Sequence, residues 1–362
     1  MKLTIRLKLL PTREQKADLL DTMERFNAAA SYAAKVGFEA QVYSLPSIRK
    51  RCYRQIRDQF GLSAQMAVRA IGKAADCFSR DKETGPVFKP HGAAIYDERI
   101  LSFKGLDKVS LWTLNGRLRI GMAFGEYQKE RLGRLKGQAD LVYRNGEFFL
   151  FAGIEVPDGS PIEPQDFLGI DLGIANLATD SDGTIHSGAG VEKVRRKHNL
   201  QRKRLQRKGT KGARKKLKRV AKKEARFRRH ENHVISKQLV QTAQRTGRGI
   251  ALEDLKDIRK RVTARGADAR NRLGGWAFAQ LGAFLVYTAR LAGVVVDFVD
   301  PRYSSQTCHE CGHCERSNRK SQSEFHCKAC GHQAHADVNA ARNHRAQALA
   351  KRASGLGTRL AG

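Results

Sequence analysis

Four cysteines near the C-terminal end of the sequence constrain the fold more than any other feature. They form two CxxC pairs, Cys308 with Cys311 and Cys327 with Cys330, with fifteen residues between the pairs. Two such pairs can offer four thiolates to one tetrahedral Zn2+. We therefore expect residues 303–333 to form a zinc ribbon that holds one structural zinc ion.

The ligand set of this ribbon stays open in one respect. Cys314 is a further thiol in the segment, and five histidines lie in it or beside it: His309, His313, His326, His332 and His335. Because imidazole also binds zinc, one histidine could replace a cysteine. Seven cysteines, four of them in CxxC pairs, fit metal binding in a reducing compartment better than a disulfide framework.

The charge of the chain indicates a polyanionic partner. It has 68 lysine and arginine residues against 36 acidic residues, a net charge of +32. Nucleic acid fits this surplus better than a membrane surface, because no basic amphipathic helix stands beside an anchor. The longest apolar stretch, residues 278–299, contains Arg290 and Asp297, so we expect no membrane span. A merely basic, ribosome-like surface is the alternative.

Much of this charge lies in residues 193–229, which hold 20 basic residues and one acid, Glu224. Sparse apolar residues predict helices with one docked face and a basic face along a nucleic-acid backbone. These residues are Leu200, Leu205, Leu217, Val220 and Phe227. A disordered basic arm is the alternative.

The first half of the chain predicts a small β-barrel with a helical insertion. Residues 1–10 alternate charged and apolar side chains, which indicates a strand and not a signal peptide. Helical spacing follows in three segments up to about residue 83. From about residue 86 to 157 the pattern is β, with Asn-Gly turns at 115–116 and 145–146.

The second half, after a linker at 157–161, predicts an α/β domain. We expect strands at 167–172, 249–252 and 294–299, a turn at Asp182-Gly183, and an apolar helix around 276–291. An alanine-rich helix from about 337 to 351 and a loose tail close the chain.

Three acidic positions stand out from this pattern. Asp171 lies in an apolar strand, where a lone charge is costly unless it is paired or binds metal; a surface position on an edge strand is the alternative. Glu253 and Asp254 both end a second apolar strand, and the pattern does not choose between them. Asp337 begins the last helix, where it could also be an N-cap.

Two strand carboxylates and one helix carboxylate are the parts of an RNase H-like nuclease site. Three neighbouring anions repel one another, so such a cluster persists when divalent cations neutralise it. Two Mg2+ ions can then activate a water and stabilise the leaving oxygen in phosphodiester hydrolysis. Asp171 would bridge both ions.

These motifs together resemble the TnpB (OrfB) proteins of bacterial and archaeal insertion sequences. The resemblance rests on KLLPT at 8–12, GIDLG at 169–173, LEDL at 252–255, PRYSSQTC at 301–308 and ADVNAARN at 336–343. Because the motifs keep their order from end to end, the resemblance covers essentially the whole chain.

The resemblance implies an α+β multidomain fold. A wedge-type β-barrel (1–10 and 84–160) would carry a helical recognition insertion (11–83). An RNase H-like, RuvC-type α/β nuclease domain (165–302 and 334–352) would contain the zinc ribbon (303–333), and 353–362 would be a flexible tail.

The resemblance also implies an RNA-guided DNA endonuclease that depends on Mg2+. Its catalytic and Mg2+-binding acids would be Asp171, Glu253 and Asp337, with Glu253 preferred to Asp254. Its zinc ligands would be Cys308, Cys311, Cys327 and Cys330.

The partners that the resemblance implies are a guide RNA made from the transposon end and double-stranded target DNA beside a short motif. We expect no membrane, no obligate protein partner, and a prokaryotic cytoplasmic location at the nucleoid. Three other hypotheses are a nuclease-inactive RNA-guided repressor, a DNA-strand transferase and a zinc-stabilised RNA-binding structural protein.

Overall fold

Two units follow one another along the chain, with their boundary between Pro157 and Asp158. The computed structural model describes residues 1–105, 107–161, 163–255 and 278–355. Within these ranges, no helix is both long and apolar enough to cross a membrane.

The first unit contains seven strands and a group of helices within the described residues. In chain order they are β1 (Lys2–Leu10), α1 (Arg13–Glu39), α2 (Leu45–Phe60), α3 (Ala64–Phe78), β2 (Ala94–Tyr96), β3 (Leu101–Lys104), β4 (Lys108–Thr113), β5 (Gly116–Ala123), α4 (Glu126–Lys129), β6 (Leu135–Arg144) and β7 (Glu147–Glu155).

The sheet of this unit is built around its first strand. In β1 the side chains of Ile5, Leu7 and Leu9 are buried while their neighbours face outward, as the alternating sequence predicts. β1 pairs with β7 on one side and β5 on the other, in the order β2-β6-β7-β1-β5-β4-β3. All pairs are antiparallel, and β3 lies near β6, so the sheet is nearly closed. The predicted β-rich unit with β1 as a member is confirmed.

The predicted helical segment after β1 is also confirmed. The Thr12 hydroxyl accepts a hydrogen bond from the Gln15 backbone N–H at 3.2 Å, and the Gln15 side chain accepts one from the Thr12 N–H at 3.1 Å, so a capping box starts α1. At the N-termini of α2 and α3, the Ser44 and Ser63 side chains accept hydrogen bonds from the backbone N–H groups of Ser47 and Met66. The three helices pack on one another through apolar faces.

Both predicted Asn-Gly turns are present. The first joins β4 to β5 and the second joins β6 to β7. Gly116, Asn145 and Gly146 have positive φ angles of 104°, 53° and 84°, which these residue types tolerate.

The second unit has a five-stranded sheet, long helices and a small two-stranded ribbon. In chain order they are β8 (Phe167–Asp171), β9 (Asn176–Asp180), β10 (Ile185–Ser187), α5 (Ala189–Lys208), α6 (Lys211–Arg245), β11 (Gly249–Glu253), α7 (Phe278–Ala292), β12 (Val296–Val299), β13 (Glu324–His326), β14 (Gln333–His335) and α8 (Ala336–Ala353).

The large sheet mixes parallel and antiparallel pairs. Its order is β10-β9-β8-β11-β12; β8, β11 and β12 are parallel neighbours, while β9 and β10 are antiparallel. Helix α8 packs on β8, and α6 packs on α7. An added Cβ at Gly169 of β8 would lie 1.9 Å from the carbonyl oxygen of Ala341, so glycine permits the close approach of α8 at this position.

The basic segment forms two helices, so the predicted helical structure is confirmed and the disordered arm is not. Leu205 of α5 packs with Ala213 and Val220 of α6. The prediction for Leu200 was wrong, because its side chain is 61% exposed. It precedes Leu205 by five residues, about 140° around a helix, so the two cannot share one docked face.

The apolar helix is confirmed as α7, but Trp276 lies outside the described residues. Most of the predicted tail, 356–362, also lies outside them. The named domains and their bounds stay predictions, although β13 and β14 do lie between β12 and α8 in the chain.

Candidate metal centres

The first candidate site lies at one edge of the five-stranded sheet. Asp171 ends β8 and Glu253 ends β11, and these parallel strands pair with Ile170 opposite Leu252. The carboxyl ends of neighbouring parallel strands meet at the same edge. A carboxylate oxygen of each residue and a ring nitrogen of His344, from α8, all lie within 4.8 Å of one another.

Asp337 stands beside this group, in the first turn of α8, and is only 3% exposed. It is not a member of the 4.8 Å group. The Asn176 side-chain amide donates to its Oδ2 at 2.8 Å, and the Arg319 guanidinium donates to its Oδ1 at 3.1 Å. The helix N-terminus also favours a carboxylate at this position.

Burial first, and then neighbouring charge, raises the pKa values of these carboxyl groups. Burial, and then the charge of Asp337, raise the pKa of Asp171 to about 7 in spite of the opposing charge of Arg319. Burial raises the pKa of Glu253 to about 8, with repulsion from Asp171 and Asp337. The Leu172 backbone N–H donates to Glu253 Oε1 at 2.8 Å and partly opposes this rise. Within the described residues, the negative charge that appears when these carboxyl groups ionise is therefore only partly compensated.

The geometry brings two of the predicted acids together and sets the third next to them. Glu253, and not Asp254, belongs to the cluster, although the strand pattern alone could not choose. Sequence reasoning missed His344, Asn176 and Arg319. His344 follows Asp337 by seven residues, which puts both on one helix face, and that spacing was a usable signal.

These residues fit a divalent cation. Oxygen donors from several carboxylates suit Mg2+, and the raised pKa values report charge that a cation would neutralise. Among the described residues, the compensation comes from Arg319, Asn176 and one backbone N–H.

The second candidate site is the cysteine cluster. The sulfur atoms of Cys308, Cys311, Cys327 and Cys330 all lie within 4.8 Å of one another. The Cys308–Cys330 and Cys311–Cys327 sulfur distances are 3.8 Å and 3.6 Å. Tetrahedral zinc with Zn–S bonds of about 2.3 Å needs sulfur atoms about 3.8 Å apart, so the cluster fits zinc.

The two CxxC pairs form matching turns. The Gly312 N–H donates to the Cys308 carbonyl at 2.9 Å, and the Gly331 N–H donates to the Cys327 carbonyl at 3.1 Å. Both glycines have a positive φ, 76° and 75°. The same local fold therefore presents both pairs of thiols to a shared centre.

The extra candidates of the ribbon lie outside this sulfur cluster. Cys314 is an exposed free thiol. His309 has its two ring nitrogens 3.0 Å from Asn339 Oδ1 and 3.0 Å from Arg342 Nη1. His309 and His332 instead form a separate group with Glu310.

The basic helices carry a buried acid at their interface. Glu224 of α6 is 6% exposed and accepts a hydrogen bond from Arg202 of α5 at 2.6 Å. This pair links the two helices. Residues such as Lys215, Lys216 and Lys218 remain exposed on the outer face.

Two family models match the second unit. The model described as "Probable transposase", OrfB IS605, matches residues 153–259. The model described as "Cas12f1-like, TNB domain" matches residues 278–344.

Two relatives match more than half of the chain. The putative RNA-guided DNA endonuclease InsQ of Escherichia coli (strain K12) is 27% identical over 312 residues, 80% of this chain and 74% of InsQ. The TnpB-like protein MJ0751 of Methanocaldococcus jannaschii is 28% identical over 229 residues, 59% of this chain and 81% of that protein.

A CRISPR-associated endodeoxyribonuclease Cas12f1 of Sulfoacidibacillus thermotolerans is 42% identical over 121 residues, 33% of this chain. The chain spans 27% of that Cas12f1 and 37% of a second one, from Syntrophomonas palmitatica.

Solved structures share the fold. A Cas12f1-sgRNA-target DNA complex aligns with a TM-score of 0.67 at 13% identity, over 95% of this chain and 98% of that chain. The mini-RNA-guided endonuclease CRISPR-Cas phi3 aligns with a TM-score of 0.56 at 10% identity, over 100% of this chain and 93% of that chain.

Proposed function

We propose that the chain is a member of the TnpB (OrfB) family and acts as a transposon-encoded, RNA-guided DNA endonuclease that depends on divalent metal; the matched family model and the relatives InsQ and MJ0751 support this. The observation that carries this proposal is the convergence of Asp171, Glu253 and Asp337. They come from two strands and a helix that are far apart in sequence. Asp171 and Glu253 meet at one sheet edge, and the charge of nearby Asp337 contributes to the raised pKa values of both.

We assign the units accordingly. The seven-stranded sheet would be the wedge-type barrel, with α1, α2 and α3 as the recognition insertion. The five-stranded sheet with α8 would be the RuvC-type nuclease domain, and its parallel β8 and β11 support this because they carry the first two acids.

Two Mg2+ ions would be held by Asp171, Glu253 and Asp337. When bound, they would make a water nucleophilic at neutral pH and stabilise charge on the leaving oxygen of a phosphodiester. The four cysteines would hold one Zn2+, which would contribute folding energy to the ribbon.

The other residues of the site position these acids. Arg319 of the ribbon donates a hydrogen bond to one carboxylate oxygen of Asp337, and Asn176 of β9 donates one to the other. The Leu172 N–H fixes Glu253. These contacts restrict the carboxylate rotamers before any substrate arrives, which is the preorganisation that catalysis needs.

The substrate would be double-stranded DNA, chosen by base pairing with a guide RNA from the transposon end, next to a short motif that the protein reads. The net charge of +32 and the exposed basic face of α5 and α6 support a nucleic-acid partner. The protein would act in a prokaryotic cytoplasm.

The guide is tested by expressing the protein with its flanking transposon-end sequence and sequencing the RNA that copurifies. We expect one discrete RNA with a constant part and a variable end. Heterogeneous RNA, or none, would contradict guided recognition. A control purification of the Asp171→Asn variant should carry the same RNA, because Asp171 lies with Glu253 in the candidate metal site and would bind metal, not the guide.

A further inference from the structure

A histidine with no place in the mechanism above lies against the acidic cluster. His344 is on α8, and its side chain is completely buried, at 0% exposure. One of its ring nitrogens lies within 4.8 Å of carboxylate oxygens of both Asp171 and Glu253. A buried imidazole at this position is a candidate to act on whatever the carboxylates bind.

The hydrogen bonding of the ring identifies its free atom. Nδ1 of His344 lies 3.0 Å from the carbonyl oxygen of Ile170. A carbonyl oxygen only accepts hydrogen bonds, so Nδ1 carries the hydrogen and Nε2 of the neutral ring keeps a lone pair. Nε2 is buried and has no hydrogen-bond partner among the described residues.

Such an atom is expensive for the fold. A buried acceptor without a partner has lost its hydrogen bonds to water and gained none in return, and an apolar side chain at the same position of the helix would avoid this cost. A metal ion held by the carboxylates would give Nε2 a partner. A histidine that binds metal through one nitrogen usually donates its other N–H to a backbone carbonyl or a carboxylate, as Nδ1 does here.

We propose that Nε2 of His344 is a ligand, together with Asp171 and Glu253, at one metal position, and that it makes this position prefer Mn2+ and similar ions to Mg2+. Mg2+ strongly favours oxygen ligands, whereas imidazole suits the transition metals. This inference rests on the proposed metal-dependent function, but not on the guide RNA.

The test is pulsed electron paramagnetic resonance on the zinc-loaded, full-length protein with Mn2+ added. Nitrogen bound to Mn2+ gives a 14N hyperfine coupling, and we expect it in the wild-type protein. His344→Asn keeps an amide donor near the Ile170 carbonyl but lacks Nε2, so the coupling should disappear. Calorimetry should show Mn2+ binding weakened by about 10- to 100-fold, with a much smaller change for Mg2+.

His332→Asn is the matched control. His332, in the ribbon, also has a buried Nε2 without a hydrogen-bond partner among the described residues, but it belongs to the separate group with His309 and Glu310. This variant should keep the 14N coupling and the wild-type Mn2+ affinity.

The outcomes separate this inference from the proposed function. Mn2+ that binds without 14N coupling overturns the role of His344 and leaves the carboxylate site standing. Coupling that survives in His344→Asn also overturns it. Failure of Mn2+ and Mg2+ to bind at all contradicts the metal site itself. Where His344→Asn does not fold, which a thermal melt reports, wild-type Mn2+ without 14N coupling still overturns the role of His344, and coupling that persists in His332→Asn supports it.

Discussion

Single residues at the acidic cluster combine burial with like charge, an arrangement that costs stability in a protein without metal. Asp171 and Glu253 have pKa values raised to about 7 and about 8, from usual values of 3.8 and 4.5. The folded protein therefore holds protons that the unfolded chain has already released. Its stability should fall as the pH rises from about 4 to 8, and cation binding should oppose this loss.

Glu253→Gln should flatten this pH dependence. Glutamine keeps an oxygen for the Leu172 N–H but cannot ionise, so the melting temperature without added Mg2+ should exceed that of the wild type at pH 8. At pH 5 the two proteins should melt alike. Asp254→Asn changes the neighbouring acid, which lies outside the cluster, and should follow the wild-type curve. If the melting temperatures of Glu253→Gln and wild type changed with pH in parallel, the raised pKa of Glu253 would be refuted.

The sequence could mark a site residue only where its polarity differs from that of its neighbours along the chain. Asp171 interrupts an apolar strand, which makes it conspicuous, and Asp337 begins a helix within the ADVNAARN motif at 336–343. Arg319 and Asn176 reach the cluster only through tertiary structure, so no local pattern marks them. His344 is one of several polar residues in an alanine-rich helix, and only its spacing from Asp337 was informative.

Among elements, α8 matters most because it carries Asp337 and His344 onto the strand that ends in Asp171. Its distance from β8 is set at Gly169, where an added Cβ would meet the backbone of Ala341. The apolar patterns predicted these elements, since β1 alternates buried and exposed side chains while β8 and β11 are apolar runs buried on both faces. They could not predict how closely two elements approach.

Gly169→Ala should disturb the site without touching a catalytic atom. Backbone cannot yield to the new methyl group cheaply, so we expect a loss of about 1–3 kcal/mol and weaker Mn2+ binding as α8 shifts. Gly153→Ala in β7 is the control, because nothing lies within 4 Å of a Cβ there. Thermal melts and calorimetry measure both effects. A Gly169→Ala variant that matches Gly153→Ala in both would contradict this account of the packing.

The zinc ribbon makes its own prediction. Cys308 is buried in the sulfur cluster, so Cys308→Ser should release zinc and unfold the ribbon. Cys314→Ser removes a thiol outside the cluster and should retain one zinc per chain. Elemental analysis by mass spectrometry gives the stoichiometry. An unchanged value in Cys308→Ser would refute the ligand assignment.

For the whole molecule, the distribution of charge decides how nucleic acid binds. Binding should weaken steeply with salt because phosphate contacts release counterions. Changing the exposed Lys215, Lys216, Lys218 and Arg219 to glutamine should reduce the slope of log affinity against log salt by up to about 3–4. Leu200→Gln alters an exposed position of α5 without changing charge, and should leave the slope unchanged. Equal slopes in all three proteins would exclude this face of α6 from the contact.

If Asp171, Glu253 and Asp337 hold the metal that cleaves DNA paired with the guide RNA, a cleavage assay should show the cut and its loss in a variant. The copurified complex is incubated with Mg2+ and a duplex that matches the variable end of its RNA, beside a library of flanking sequences. We predict that the wild type cuts this duplex and spares a mismatched one, while Asp171→Asn binds it and leaves it intact. Equal cutting by Asp171→Asn, or no cutting of any matched duplex by the wild type, would contradict the account.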